Sequence, residues 1–145
     1  MLQIGAECVF WRLAMKPGRP MAVGRRGKEL IFCLPGNPVA AFVCFRLVAA
    51  PVLTHMAGGI PIPPARIPVR CAFEHRKSPG RTEYLRVRLE TGRDGEPEMV
   101  LHGRKGAGVL SSLTGADGLV EIPVDNDGVA VGDYLAFIAF RETAL

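Results

Sequence analysis

The sequence predicts an α/β segment followed by a small all-β barrel, and three observations predict it. A strand, a turn-rich loop and a long apolar helix follow one another within residues 1–60, the order of an α/β unit. Gly58 to Pro64 then places three prolines in seven residues, a composition that breaks regular structure and marks a boundary. After it come five short runs of alternating or β-branched apolar residues separated by turn signals, the pattern of a small barrel or sandwich. With 145 residues, 48% hydrophobic and 22% charged, the chain can bury an ordinary core, which argues against disorder. Its seventeen glycines and twelve prolines are dispersed, as short elements joined by tight turns require.

Cys8 to Met15 reads as the first strand, with Val9, Trp11, Leu13 and Met15 alternating against Cys8, Phe10, Arg12 and Ala14, and Lys16-Pro17-Gly18 stops it. Met21 to Val23 is a short strand after Pro20. Glu29 to Leu34 is an apolar β run after the Arg25 to Lys28 turn, expected to be buried on both faces. In Pro35-Gly36-Asn37-Pro38, Asn37 is a good helix N-cap and Pro38 suits the first helical position, so a helix starts at Val39. Pro51 should kink or restart it. Beyond the boundary, strands are expected at Ile67 to Phe73, Glu83 to Glu90, Glu98 to His102, Gly118 to Ile122 and Tyr134 to Phe140. In the second of these, Leu85, Val87 and Leu89 should face inward and Tyr84, Arg86, Arg88 and Glu90 outward. Gly106 to Leu113 has room for one helical turn.

Composition excludes several function classes. A net charge of +4 and a pI near 9.1 suit an anionic partner, but Lys and Arg are scattered and no aromatic ladder accompanies them, which disfavours nucleic acid. Cys8, Cys33, Cys44 and Cys71 lie in apolar runs without a CxxC pair, so buried reduced thiols are expected rather than zinc or redox chemistry. His55, His75 and His102 show no ligand spacing. No leader segment is evident, and a cytoplasmic location is expected. The apolar run Val39 to Met56 approaches membrane-spanning length, but Arg46 and Pro51 fall inside it, so a buried helix is expected.

Three constellations have chemical content. In an unbroken strand, Arg12, Ala14 and Lys16 share one face, with the cations about 13 Å apart at the backbone, where long side chains can converge on an extended anion; Arg19 extends the series. A solvated edge strand defended by positive charge is the bland alternative. The Leu34 to Pro38 loop presents backbone N–H groups of Gly36, Asn37, Val39 and Ala40 beside a helix N-terminus, which suits an anion, although a plain helix cap explains it as well. Gly103 to Gly108 with Ser111 and Ser112 combines Arg104, Lys105 and hydroxyls, a phosphate contact or a glycine-rich turn.

Phe10-Trp11-Arg12-Leu13-Ala14-Met15-Lys16-Pro17-Gly18-Arg19-Pro20, followed after a gap by Leu34-Pro35-Gly36-Asn37-Pro38-Val39, resembles the molybdopterin molybdenumtransferase family (MoeA and the gephyrin E domain). Pro79 to Arg86, Leu110 to Leu113 and Ala116 to Val120 continue the resemblance in family order. It implies a transferase of molybdenum-cofactor biosynthesis that hydrolyses adenylylated molybdopterin, releases AMP and inserts molybdate into the dithiolene, with Mg2+, as a cytoplasmic homodimer. It implies a fold in which residues 1–60 are an α/β remnant, the C-terminal part of a molybdopterin-binding-like domain, and residues 61–145 the C-terminal β-barrel domain. By the same carry-over, Lys16 is the catalytic candidate, contacting phosphate or molybdate. Arg12, Arg19, Pro35, Gly36, Asn37, Pro38, Lys105 and Ala107 join it in binding substrate.

Two departures accompany the resemblance. Arg12 stands where the family usually has Lys, exchanging a point ammonium for a planar guanidinium. Ala107 stands where many members have Ser, which removes a hydroxyl from the anion site. The family's Ser-Gly-Gly signature with its flanking Asp residues is not in this sequence. The metal ligands are therefore expected outside this chain, and the chain alone is expected to be inactive. The alternative reading is a non-catalytic binding or scaffold module mediating dimer or partner contacts.

Overall fold

The structure, a computed structural model, describes residues 5–103 and 111–141, with only the backbone of Ser111 and Ser112. It divides into two compact units, Met1–Pro63 and Pro64–Leu145.

In the first unit, β1 (Glu7–Trp11), β3 (Ala22–Arg26) and β4 (Glu29–Cys33) form an antiparallel sheet in the order β1-β3-β4, with β2 (Met15–Lys16) a two-residue strand between β1 and β3 in sequence. The expected strand from Cys8 to Met15 is therefore broken: it ends at Trp11, because Arg12 adopts φ 71, the left-handed region in which a strand cannot continue. β4 was expected to be buried on both faces, but Leu30, Ile31 and Phe32 are only half-buried, as suits the edge of a three-stranded sheet.

The helical segment comprises α1 (Pro38–Cys44), a wide π turn over Phe45–Ala49 and α2 (Ala50–Met56). Asn37 caps it as expected: its Oδ1 accepts the N–H of Val39 at 3.0 Å and of Ala40 at 3.2 Å, while Pro38 takes the first helical position, where a missing N–H costs nothing. The π turn is the chain's answer to Pro51. A proline has no N–H for the carbonyl four residues back and its ring would strike it, so the spiral widens, the N–H of Ala50 reaches Phe45 O five residues back, and α2 restarts with Pro51 in its first turn. By length and composition, Pro38–Met56 is apolar enough to cross a membrane. It was expected to be buried, and it is so on one side only: Val39, Ala40, Val43, Cys44 and Ala49 are buried, whereas Phe45, Leu53 and Met56 are exposed.

The second unit is a closed five-stranded barrel of β5 (Ile67–Cys71), β7 (Thr82–Thr91), β8 (Pro97–Leu101), β9 (Gly118–Ile122) and β11 (Tyr134–Ala139), in the order β7-β8-β5-β11-β9 with β9 pairing back to β7. All pairings are antiparallel except β5 with β8. Closure depends on the length of β7. Its first half, Glu83 to Val87, pairs with β9 and its second half, Val87 to Thr91, with β8; Val87 faces Gly118 on one side and Leu101 on the other and is fully buried. Val69, Cys71, Phe73, Val87, Met99, Val120, Ile122, Val129 and Phe137 form the core. A side chain at Gly118 would enter the ring of Phe137, so glycine lets that ring lie against the β9 backbone. Beyond Val87 the ladder between β7 and β9 has ended, and Leu89, expected to face inward, is exposed, although its β8 partner Met99 is fully buried and pairs on with Cys71 of β5. A small pair, β6 (His75–Arg76) with β10 (Gly128–Val129), closes over the core, with Lys77 Nζ donating to Asn126 O at 2.6 Å. α3 (Ser111–Thr114) is a single turn.

Candidate functional site

The basic series of the sequence folds into a loop rather than a strand face. Arg12 N donates to Met21 O and Leu13 N to Arg19 O, each at 3.0 Å, and Met21 N returns to Gly18 O at 3.1 Å. These bonds bring residues seven apart, Arg12 and Arg19, to the same end of the loop. Buried residues between and just beyond the cations anchor it: Met15, Gly18 and Met21 are buried, whereas Arg12, Lys16 and Arg19 are exposed. Sequence periodicity had placed Arg12, Ala14 and Lys16 on one strand face; the turn at Arg12 removes that periodicity, and hydrogen bonding across the loop gathers the charges instead.

Trp11, Arg12, Arg19 and Pro20 line an open cleft of about 290 Å³. The guanidinium of Arg12 lies 4.1 Å from the centroid of the Trp11 ring, a cation–π contact, and yet Trp11 remains 62% exposed. The cleft thus offers an aromatic plane and two permanent positive charges. Its chemistry suits a flat ring carrying an anion. Trp11 did not emerge from the sequence as a site residue, although a single tryptophan immediately before an arginine was the available signal. Lys16, at the cis Lys16–Pro17 peptide, lies outside the cleft lining.

The loop meets the helix at Cys44, whose thiol donates to Gly18 O at 3.6 Å. Cys44 lies seven residues beyond Asn37, about 10 Å along the helix at 1.5 Å per residue. The contact that ties the basic loop to the helix is therefore at its far turn, not at its capped entrance. At that entrance the N–H groups of Val39 and Ala40, expected to be offered to an anion, are already taken by Asn37 Oδ1, and Ala41 N by Asn37 O at 2.8 Å. Pro35 is half-buried, and Gly36, Asn37 and Pro38 are exposed. Lys105 and Ala107, with the Gly103 to Ser112 constellation apart from Gly103 and the Ser111–Ser112 backbone, lie outside the described residues.

Burial raises the Cys44 thiol to about 11. Cys71 in the barrel rises to about 11 for the same reason, helped by the nearby Asp133 charge. Neither is poised as a nucleophile. Cys8 and Cys33 were expected to be buried, but both are exposed, at the ends of strands in the small sheet; all four cysteines are free. Among the described residues no group of three His, Cys, Asp or Glu side chains is arranged to hold a metal ion, so the magnesium implied by the resemblance does not fit a ligand set here. Sequence reasoning also missed a polar pair inside the barrel unit: His75 Nε2 lies 3.4 Å from Glu83 Oε2, and both side chains are largely buried.

Residues 68–140 match the MoeA C-terminal region (domain IV), and residues 2–55 match the probable molybdopterin binding domain. Molybdopterin molybdenumtransferase 2 of Mycobacterium tuberculosis (strain CDC 1551 / Oshkosh) is 37% identical over 129 residues, covering 87% of this chain and 30% of that protein. The molybdenum cofactor synthesis protein cinnamon of Drosophila melanogaster is 33% identical over 123 residues, covering 84% of this chain and 20% of that protein. The crystal structure of the molybdopterin biosynthesis moeA protein from Pyrococcus horikoshii OT3 superposes with a TM-score of 0.71 at 27% identity, covering 92% of this chain and 32% of that one. The chain spans about a third or less of the length of these relatives. The barrel match alone takes in half of the sequence and the second match falls on the preceding α/β unit, so this chain belongs to the MoeA family and carries a C-terminal portion of it.

Proposed function

We propose that the chain supplies the basic face of a molybdopterin molybdenumtransferase, which hydrolyses adenylylated molybdopterin, releases AMP and inserts molybdate into the dithiolene. The observation that carries this reading is the loop of residues 11–20, which holds Arg12, Lys16 and Arg19 exposed on a buried apolar underside within a sequence that matches such enzymes. In this reading Lys16 is the catalytic residue, its ammonium holding the substrate phosphate or the molybdate. Arg12 and Arg19 bind the same anion from beside it, Pro35 and Pro38 shape the adjoining wall, and Gly36, Asn37, Lys105 and Ala107 are further substrate-binding residues. Magnesium ligands come from elsewhere in such an enzyme, which works as a cytoplasmic homodimer. Fixed positive charge lowers the energy of the charge that develops on oxygen during phosphate cleavage, without reorganisation during the step.

The test is binding of adenylylated molybdopterin by the purified chain, followed by calorimetry. Binding that falls at least about tenfold in Lys16→Ala supports the reading. Equal binding by the native chain and the variant removes Lys16 from the site. The chain alone is expected to insert no molybdenum.

A second reading, a scaffold module mediating dimer or partner contacts, draws on the exposed Phe45, Leu53 and Met56 of the helix. A stable complex that forms through these residues without any ligand binding would favour it.

A further inference from the structure

We infer that the two-stranded flap of β6 and β10 is a pH-responsive closure of one end of the barrel, fastened by the contact of His75 with Glu83 and held more tightly as pH falls through the neutral range. This holds whatever ligand the α/β unit takes.

The contact itself is the first reason. His75 Nε2 lies 3.4 Å from Glu83 Oε2, the two side chains are 10% and 6% exposed, and that nitrogen is buried without a hydrogen-bond partner. Charge therefore sets its strength, and it is an ion pair only while the imidazole is protonated. Histidine is the side chain whose ordinary titration falls between about pH 5 and 8. Opposite charges at this distance attract several times more strongly in a protein interior than in water, against the cost of withdrawing an imidazolium from water. Glu83 is buried whether or not His75 is charged, so protonation gives its carboxylate a counter-charge, and a buried pair costs less than a lone buried charge. Opening the flap parts the two groups and loses most of that attraction to water. Protons therefore favour closure.

The flap is also slight enough for one contact to govern it. β6 and β10 pair over two residues each, His75 with Val129 and Arg76 with Gly128. A β-carbon at Gly128 would stand 2.9 Å from His75 O, so glycine is what lets the strands close. The rim is tied by Lys77 N to Asp127 O at 3.1 Å, Lys77 Nζ to Asn126 O at 2.6 Å and Gly80 N to Val124 O at 2.9 Å. So short a ladder opens at far lower cost than the barrel unfolds. Beneath it lie Phe73 and Val129, at the edge of the core.

Other charges around the imidazole are directed elsewhere. Among the described residues Glu83 is the only charged one that is buried, and Ile122, its partner across β9, is apolar. On the flap and its flanks, Glu74, Arg76, Asp125 and Asp127 are exposed, and the Lys77 ammonium is bonded to backbone carbonyls. Asp133 Oδ2 accepts Ala130 N.

The test is amide hydrogen exchange of the native chain by NMR from about pH 8 to about pH 5.5, across the histidine range, with rates corrected for the intrinsic effect of pH. Lys77 N, bonded to Asp127 O, reports the flap, and Asp117 N, bonded to Val87 O, reports the barrel wall. Protection of Lys77 N relative to Asp117 N should rise at least about threefold as pH falls, with the midpoint at which the His75 ring resonances shift. The rise should vanish in Glu83→Gln, which keeps the shape and removes the charge. It should survive in His102→Gln, which removes the other histidine of this unit.

A ratio constant over this range overturns the inference, as does a His75 resonance that does not shift within it. A ratio that falls with pH overturns it too, because burial would then expel the charged imidazole and open the flap. These three outcomes are read on the native chain and decide the matter even where a variant fails to fold. A rise that persists in Glu83→Gln assigns the effect to another group and sinks the role of this pair.

Discussion

The thiol of Cys44 donates a hydrogen bond to the carbonyl oxygen of Gly18, and a β-carbon at Gly18 would stand 2.6 Å from that same sulfur. Both residues are buried, so the basic loop is fastened to the helix at a point with no spare volume. Gly18 also has φ +121, a conformation that L side chains rarely adopt. Gly18→Ala therefore combines backbone strain with overpacking and should destabilise the α/β unit by about 2–4 kcal/mol, read as a lower urea midpoint of Trp11 fluorescence. Adding Cys44→Ala should recover the steric part and leave the strain. Additive losses in the double variant would show that the two residues do not share this contact.

The barrel holds a second buried contact, between His75 and Glu83 at 3.4 Å. His75 sits in the two-stranded flap of β6 and β10, and Glu83 near the start of β7, so the pair spans flap and barrel wall. The contact is one of charge and not a hydrogen bond, since His75 Nε2 is buried without a hydrogen-bond partner, and removing the carboxylate takes away the negative charge that faces it. Glu83→Ala should lower barrel stability by about 3 kcal/mol in chemical denaturation. A double-mutant cycle with His75→Ala should show a coupling of about 1 kcal/mol or more; zero coupling would mean that Glu83 acts through other neighbours.

Much of the barrel was legible because its strands alternate. Gly118 to Ile122 was read with the bounds the structure has, and the Asn37-Pro38 cap was read because side-chain capping is local chemistry. What was not legible depended on contacts across the fold. Nothing about arginine announces a left-handed backbone, yet the turn at Arg12 decides whether Arg12 and Lys16 share a strand face. Leu89 looked inward by period, but the periodicity does not tell that the ladder to β9 stops at Val87 and that Leu89 is exposed. Glu83 is in phase with the inward Leu85 and Val87 and is only 5% exposed, but its neighbour His75 lies eight residues away in a flap the pattern did not reveal.

Raised acid constants set the alkaline limit of stability. Burial holds Cys44 and Cys71 near 11 and, with the adjacent Glu121 carboxylate, brings Tyr84 to about 12. In the unfolded chain these groups ionise at ordinary values near 9 and 10, so the folded state keeps protons that the unfolded state gives up. Their contribution is fully present below pH 9 and is lost as pH rises from there through 11 to 12. The thermal midpoint should be level on this account from pH 7 to 8.5 and fall steadily above pH 9. Cys71→Ala should flatten the fall of the barrel transition between pH 9 and 11, and a slope unchanged by it would remove that thiol from the explanation. The acid side works in the opposite sense: the Arg70 guanidinium, hydrogen-bonded to Asp94, holds that carboxyl well below the usual range, so its share is lost only in strong acid.

Arg12 permits stability and binding to be separated within one residue. Arg12→Gly removes the penalty of a left-handed arginine, about 1 kcal/mol, and loses a cation–π contact worth about 0.5–1 kcal/mol at an exposed site, together with some restriction of the unfolded chain. These opposing effects nearly cancel, so the urea midpoint should move by less than about 0.5 kcal/mol equivalent. Ligand binding has no such compensation, because glycine brings neither charge nor a brace for the indole. Arg12→Gly should therefore fold normally, show a red-shifted Trp11 emission as the ring loses its cover, and bind adenylylated molybdopterin at least about tenfold more weakly. Arg12→Lys, which keeps the charge but not the planar fork, should fall between them. A glycine variant that bound as well as the native chain would mean that the guanidinium over Trp11 only fills a turn.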